Sequence, residues 1–339
     1  MAYLPFLLAV QVWTLLICVA WIAVTWLSVR FFWPSIQHAP LNVLVLPSLL
    51  CYRFILRVNL HGQVDLILWA VVLGCVYLLV VGRRPLAGVL LGFSIVLKPL
   101  PALFLPYLLA KREWRTFAWT VIAILFFLAL PLTTYGPTRL VELLGQWTGG
   151  RIGQDLTDVS LEAMTSNQSV QAMLYRFLAT RDGITESFWP APIAGLSRDS
   201  INTLYLVACG IFLLPWIYVG RSPETNRWRL ASEVALLIVT THLISRRTTE
   251  YHLVTLAYVY CVTLSLRYHP DVSPNRRSQL AWLVAVVALI QNGYSPMFVG
   301  MDRSEWLQGY SPVVLSLVLL WSAYSLVLQR LRLDDPPHR

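Results

Sequence analysis

Long apolar runs alternate with short polar connections along this chain. The runs occupy 6–29, 37–57, 62–82, 85–97, 101–110, 116–134, 200–219, 230–246, 251–268, 279–299 and 311–330. Most approach the ~20 apolar residues a helix needs to cross a bilayer. They read as helices, because lipid offers no partner to an unpaired backbone group. The runs 85–97 and 101–110 are too short to span separately at ~1.5 Å rise per residue. Either they form one kinked span, or they form a helical hairpin that turns at Lys98-Pro99-Leu100-Pro101 and returns to the side it left. The predicted fold class is all-α, a polytopic integral membrane protein of about nine spans plus a short hairpin. Residues 1–339 read as a single transmembrane domain.

Charge placement favours the hairpin over the single kinked span. Arg83 and Arg84 precede the segment, and Lys111, Arg112 and Arg115 follow it. Cytoplasmic loops collect Lys and Arg. A hairpin puts both clusters inside, whereas a single span strands one of them outside. With the hairpin, 135–200 and 300–310 fall outside, while 220–229, 267–277 and the Arg330/Arg332 tail fall inside. The hairpin tip then carries Lys98 toward the outer leaflet.

The external segment 135–200 contains Gly149, Gly150, Asp155, Asp158 and Glu162, then an amphipathic stretch at 167–178. Its length predicts short helices along the outer face, over a cavity. The tail 334–339 is predicted to fray. The same topology places residue 1 outside, yet Ala2 onward reads like the start of an interior helix and no charged leader precedes it. That pattern predicts a preceding helix and external loop, lost by truncation or by a mis-assigned start.

Composition agrees with the pattern. The chain is 57% hydrophobic and 13% charged, against about 25% charged in soluble domains. The fourteen tryptophans fit an interfacial belt. The net charge of +9 follows from topology and implies no nucleic-acid partner. Cys18, Cys51, Cys75, Cys209 and Cys261 all lie in apolar runs without a CxxC pair, and read as buried packing residues.

Lys98 is the leading candidate for chemistry. A lysine inside an apolar run costs a few kcal/mol. It must snorkel, line a wet cavity or face an anion. His61 and Gln63, at the outer end of a helix, either cap it or bond a substrate. Asp65 follows just inside. Arg246 and Arg247 stand on the face that positive charge disfavours, beside Glu250 and His252. An anionic lipid phosphate explains them, and so does a salt bridge to Glu250. Asn167 and Gln168 order the external helix, and Arg176 could pair with an acid of the same segment. Asp155 and Asp158 read as loop solvation or, more weakly, as metal ligands.

Four stretches carry a family resemblance. They are His61-Gly62-Gln63-Val64-Asp65, the segment from Ala87-Gly88 through Lys98-Pro99 to Arg115, Asn167-Gln168-Ser169 with Arg176, and Ser245 to His252. In this order they resemble the polyprenyl-phosphate-dependent membrane glycosyltransferases of the GT-C superfamily, and glycosyltransferase family 87 in particular, its mannosyl- and arabinofuranosyl-transferase-like group. Asp65 stands where that family usually has Asn, and 245–252 lacks its usual Pro and Trp.

The resemblance implies inverting transfer of a sugar, mannose or a related hexose or pentose, from a polyprenyl-phosphate donor to a hydroxyl of a glycan or glycolipid acceptor. It implies work on the outer face of a bacterial inner membrane, with no cofactor and no nucleotide-sugar domain. Such chemistry needs a base within reach of the acceptor hydroxyl and cations or helix N-termini at the leaving phosphate. The implied donor and substrate ligands are Lys98, His61, Gln63, Arg246, Arg247, His252, Asn167, Gln168 and Arg176. The family's catalytic Asp sits in a first external loop that has no counterpart here, which leaves Asp65 and Glu250 as substitute bases. The competing readings are a flippase or transporter of a lipid-linked substrate, and a non-catalytic fragment that binds lipid.

Overall fold

A computed structural model describes residues 4–33, 35–148, 164–180, 193–221 and 226–330. The described residues are all-α apart from one isolated bridge, Ala179 to Leu196. The helices are α1 (Phe6–Arg30), α2 (Leu41–Leu60), α3 (Asp65–Val80), α4 (Arg84–Leu97), α5 (Phe104–Ala110), α6 (Trp114–Ala129), α7 (Leu132–Thr148) and α8 (Val170–Leu178). They continue as α9 (Arg198–Leu213), α10 (Trp216–Arg221), α11 (Arg227–Ile244), α12 (Leu256–Leu266), α13 (Pro274–Gly293), α14 (Pro296–Val299), α15 (Met301–Gly309) and α16 (Pro312–Arg330).

Among the described residues, four helical stretches are long and apolar enough to cross a membrane: Phe6–Arg30, Leu41–Leu60, Arg198–Val219 (which takes in α9 and part of α10) and Pro312–Gln329. A fifth counts if α6 and α7 form one broken span, bent by 90°. Several shorter apolar helices accompany them, including α3 and α4. The protein is a polytopic membrane protein. α1 leaves Phe6, Leu7, Leu15 and Ile22 more than 60% exposed, a surface suited to lipid. Cys18 lies exposed on this helix and Cys209 is half-buried, so two cysteines read as core residues are not. Cys51, Cys75 and Cys261 are buried, and all five are free thiols.

The centre of the bundle is α11 and α12. Every residue of α12 is buried, which accounts for its apolar character on all sides. The run that continues it toward the N-terminal side is a separate 3-10 turn, Glu250–Thr255. The run at 116–134 likewise crosses the bend between α6 and α7, at Leu130 and Pro131; Gly136, with φ 72°, kinks α7 further on.

The segment around Lys98 is a hairpin. Arg84, at the start of α4, bonds Glu113, just before α6, at 2.7 and 3.2 Å. The chain therefore returns to the end it left. Lys98 closes α4 in an extended conformation, φ −157° and ψ 128°. Pro99 and Pro101 withhold two amide donors, and a 3-10 turn, Leu100–Leu103, leads into the return helix α5. α4 is held close to α6 by Gly88 and Gly92. A Cβ on Gly88 would come within 2.6 Å of the Thr116 carbonyl oxygen, and one on Gly92 within 2.7 Å of that of Thr120. This is the small-xxx-small contact that lets membrane helices meet backbone to backbone.

The amphipathic stretch at 167–178 folds as α8, its N-terminus capped by Ser169 Oγ accepting from the Ala172 amide at 3.1 Å. Met1, Gly149, Gly150, Asp155, Asp158, Glu162, Arg332 and the 334–339 tail lie outside the described residues.

Candidate functional site

Three residues far apart in sequence meet at the hairpin tip. Lys98 Nζ donates to both oxygens of Asp65, at 2.8 and 2.9 Å. It also lies 3.0 Å from His252 Nε2. Asp65 is fully buried at the start of α3, His252 is nearly so, and the Lys98 side chain keeps 22% exposure. Tyr251 flanks the group, with Lys98 Nζ 5.3 Å from its ring centre. The exposed His61 ring lies 6.2 Å from that of Tyr251.

Local structure fixes each side chain. Asp65 begins α3, three residues after Gly62, whose φ of +59° makes the preceding turn possible. His252 sits in the 3-10 turn, and its Nδ1 accepts the Thr249 amide at 3.2 Å. In a neutral ring this leaves the proton on Nε2. Lys98 and His252 then present two donors to each other at contact distance. An anionic oxygen beside them would accept from both.

The loop before His252 is held by the segment that leads into α8. Asn167 Nδ2 and Ser169 Oγ donate to the Arg246 carbonyl at 3.1 and 2.8 Å. Asn167 Oδ1 accepts the Thr248 amide at 3.1 Å, and the Gln168 amide donates to the Thr248 carbonyl at 2.6 Å. Gln168 Nε2 bonds the Thr165 and Gln308 carbonyls. Asn167-Gln168-Ser169 thus acts on the site through the 245–249 backbone. Arg176, placed above among the substrate ligands, is buried among the carbonyls of Met164, Asn167 and Gly309 and the Ser311 hydroxyl. Those bonds give it an architectural place, not one in the Lys98 cluster.

Glu250 does not pair with Arg246 or Arg247. Its two oxygens accept from Arg53 and Arg57, one turn apart on α2, the second at 3.0 Å. Both oxygens are therefore engaged by cations, which counts against Glu250 as a substitute base. Arg246 and Arg247 remain exposed without a carboxylate partner among the described residues. Arg247 lies five residues before His252 on the same connection. Gln63 is half-buried in the α2–α3 connection beside Asp65.

Sequence reasoning passed over Arg53, Arg57, Tyr251 and His242. The two arginines carried a signal, since cations four residues apart in an apolar run ask for an anion. His242 is buried, with Nε2 at 2.7 Å from Thr255 Oγ1 and Nδ1 without a hydrogen bond. No group of three His, Cys, Asp or Glu among the described residues is arranged to hold a metal. Two clefts lie elsewhere. One of about 500 Å³ is at the hairpin base, lined by Arg84, Lys111 and Arg227. Another of about 300 Å³ lies between α13 and α16. The hairpin tip is the better candidate, because among the described residues it alone brings an accessible cation together with a buried acid and a histidine.

No curated protein and no solved structure matches this chain. Glycosyltransferase family 87 matches it over residues 1–245, which takes in Asp65, Lys98 and Asn167 and stops short of His252. That span is well over half of the sequence, and the protein belongs to glycosyltransferase family 87.

Proposed function

We propose that this glycosyltransferase takes its sugar, mannose or a related hexose or pentose, from a polyprenyl-phosphate donor. The acceptor is a hydroxyl of a glycan or glycolipid at the outer face of a bacterial inner membrane, and transfer inverts the anomeric centre. About nine spans surround the hairpin, whose tip faces outward. The observation that carries this reading is the pair of donors at the tip, Lys98 Nζ and His252 Nε2, 3.0 Å apart. They form a preorganised place for a phosphate oxygen. Exposed Arg246 and Arg247 add positive charge nearby. His61, Gln63 and Tyr251 border the same end and would meet the sugar. Asn167, Gln168 and Arg176 hold the frame.

Donor cleavage leaves negative charge on the phosphate. Cations fixed before the reaction stabilise that charge without reorganising. The prenyl chain stays in lipid, so no soluble donor domain is needed.

The test is transfer in membranes from radiolabelled polyprenyl-phosphate mannose or pentose to a crude lipid acceptor extract. Label in product, lost in Lys98→Ala at equal membrane abundance, is the expected result. Wild-type turnover in that variant would remove Lys98 from the phosphate site. A fully folded protein that moves donor across vesicles without transferring sugar would favour the flippase reading.

A further inference from the structure

Asp65 has a property that donor binding alone leaves unused. Its carboxylate is fully buried, and both oxygens rest on a single cation, Lys98, which is itself partly exposed. Lys98 therefore covers Asp65. The next group, His252 Nε2, is 3.9 Å from Oδ1. The other ionisable groups around the pair are Tyr251, His242 and Arg247, with Glu250 already held by Arg53 and Arg57.

We infer that Asp65 is a masked general base, uncovered when the donor phosphate draws Lys98 away. The inference rests on the donor-phosphate reading above. A phosphodiester and a carboxylate carry the same charge and compete for one ammonium. The four-carbon stem of lysine lets that ammonium move between them. A buried carboxylate that loses its cation is costly to keep charged, and binding a proton relieves the cost. The acceptor hydroxyl supplies that proton.

The step balances. The acceptor O–H proton passes to Asp65, and the hydroxyl oxygen's electron pair forms the bond to the anomeric carbon. The bond from that carbon to the phosphate oxygen breaks, and its electron pair leaves on the phosphate, held by Lys98 and the His252 Nε2–H. Return of Lys98 to Asp65 expels the proton. The base is thus active only when a donor is in place, which protects against proton transfer without one.

The first measurement uses the wild-type full chain in detergent or nanodiscs. A non-hydrolysable polyprenyl phosphodiester is titrated calorimetrically at neutral pH in buffers of different ionisation enthalpy. Such a diester does not titrate near neutrality, so any proton uptake belongs to the protein. Uptake of only part of a proton per ligand is expected, because a base poised near neutral pH is partly protonated before the acceptor arrives. Uptake of a full proton would leave Asp65 neutral and overturn the inference. None is expected in Asp65→Asn. That variant should bind the diester at least as tightly as wild type yet lose transfer by about 10²-fold or more, with Asp65→Glu retaining part. No uptake in wild type overturns the inference, as does uptake that persists in Asp65→Asn, which would point to His252. So does wild-type transfer by Asp65→Asn. Undiminished diester binding by Lys98→Ala would instead defeat the underlying phosphate site, a distinct outcome.

Discussion

Lys98 and Lys111 stand at opposite ends of one hairpin, and each donates to a carboxylate with no exposed surface. At the base, Glu233 receives Lys111 at 3.1 Å, Arg229 at 3.0 Å and the Tyr107 hydroxyl at 2.9 Å. The Lys111 side chain is itself 2% exposed. At the tip, Lys98 is the one cation hydrogen-bonded to Asp65 among the described residues, and its ammonium remains reachable and abuts a second donor, His252. The two ion pairs look alike in sequence, a lysine at each end of an apolar stretch. Their surroundings separate them. A carboxylate satisfied by three donors and sealed from solvent ties α5 to α11. One held by a single accessible lysine can exchange its partner, and exchange is what a binding site requires.

The sharpest break between the ends is expected from Lys111→Ala. It leaves Glu233 buried with one cation fewer, and breaking a buried pair costs about 3–5 kcal/mol. Thermal unfolding in detergent should show a large loss of stability and membrane abundance should fall. A stable Lys111→Ala protein would erase the distinction. Next is Lys98→Ala, which should lower transfer by about 10²–10³-fold, measured as turnover per folded molecule, beyond any loss of folded yield from leaving buried Asp65 without its cation.

Paired replacement sharpens the contrast. Lys111→Met with Glu233→Leu should fold and retain most transfer, because hydrophobic replacement of a buried pair is often neutral. Lys98→Met with Asp65→Leu should also fold but be inactive. Equal activity of the two double variants would show that both ends are structural. A smaller effect is expected from Arg247→Ala. It should weaken polyprenyl-phosphate binding several-fold, more at low salt than at high, as read in binding isotherms at two ionic strengths. Smallest is Arg84→Ala, which removes a pair at the surface of the base. Such pairs contribute about 0–1 kcal/mol, so melting temperature should barely move.

Much of this was written locally. The apolar runs located the helices to within a few residues, and the basic clusters at Arg83/Arg84 and Lys111/Arg112/Arg115 required the turn that Arg84 and Glu113 close. Pro99 and Pro101 marked its position. Lys98 stood out because an apolar run tolerates a cation only for a reason. The break at 250–255 and the 90° bend after α6 were not legible, since an apolar run has the same composition whether its helix is straight or bent.

The sequence by itself determined the class of protein, the hairpin, the family and the two residues, Lys98 and His252, around which a phosphate site was expected. Tertiary structure alone decided what each charge touches. It put Asp65 beneath Lys98 and gave Glu250 to Arg53 and Arg57 instead of its neighbours in sequence. It also set Asn167 and Arg176 on the backbone carbonyls of Arg246 and Gly309. The physical reason is that hydrophobic periodicity is a property of one segment, fixed by its own residues. A charge partner is a property of two surfaces, fixed only once the helices have packed.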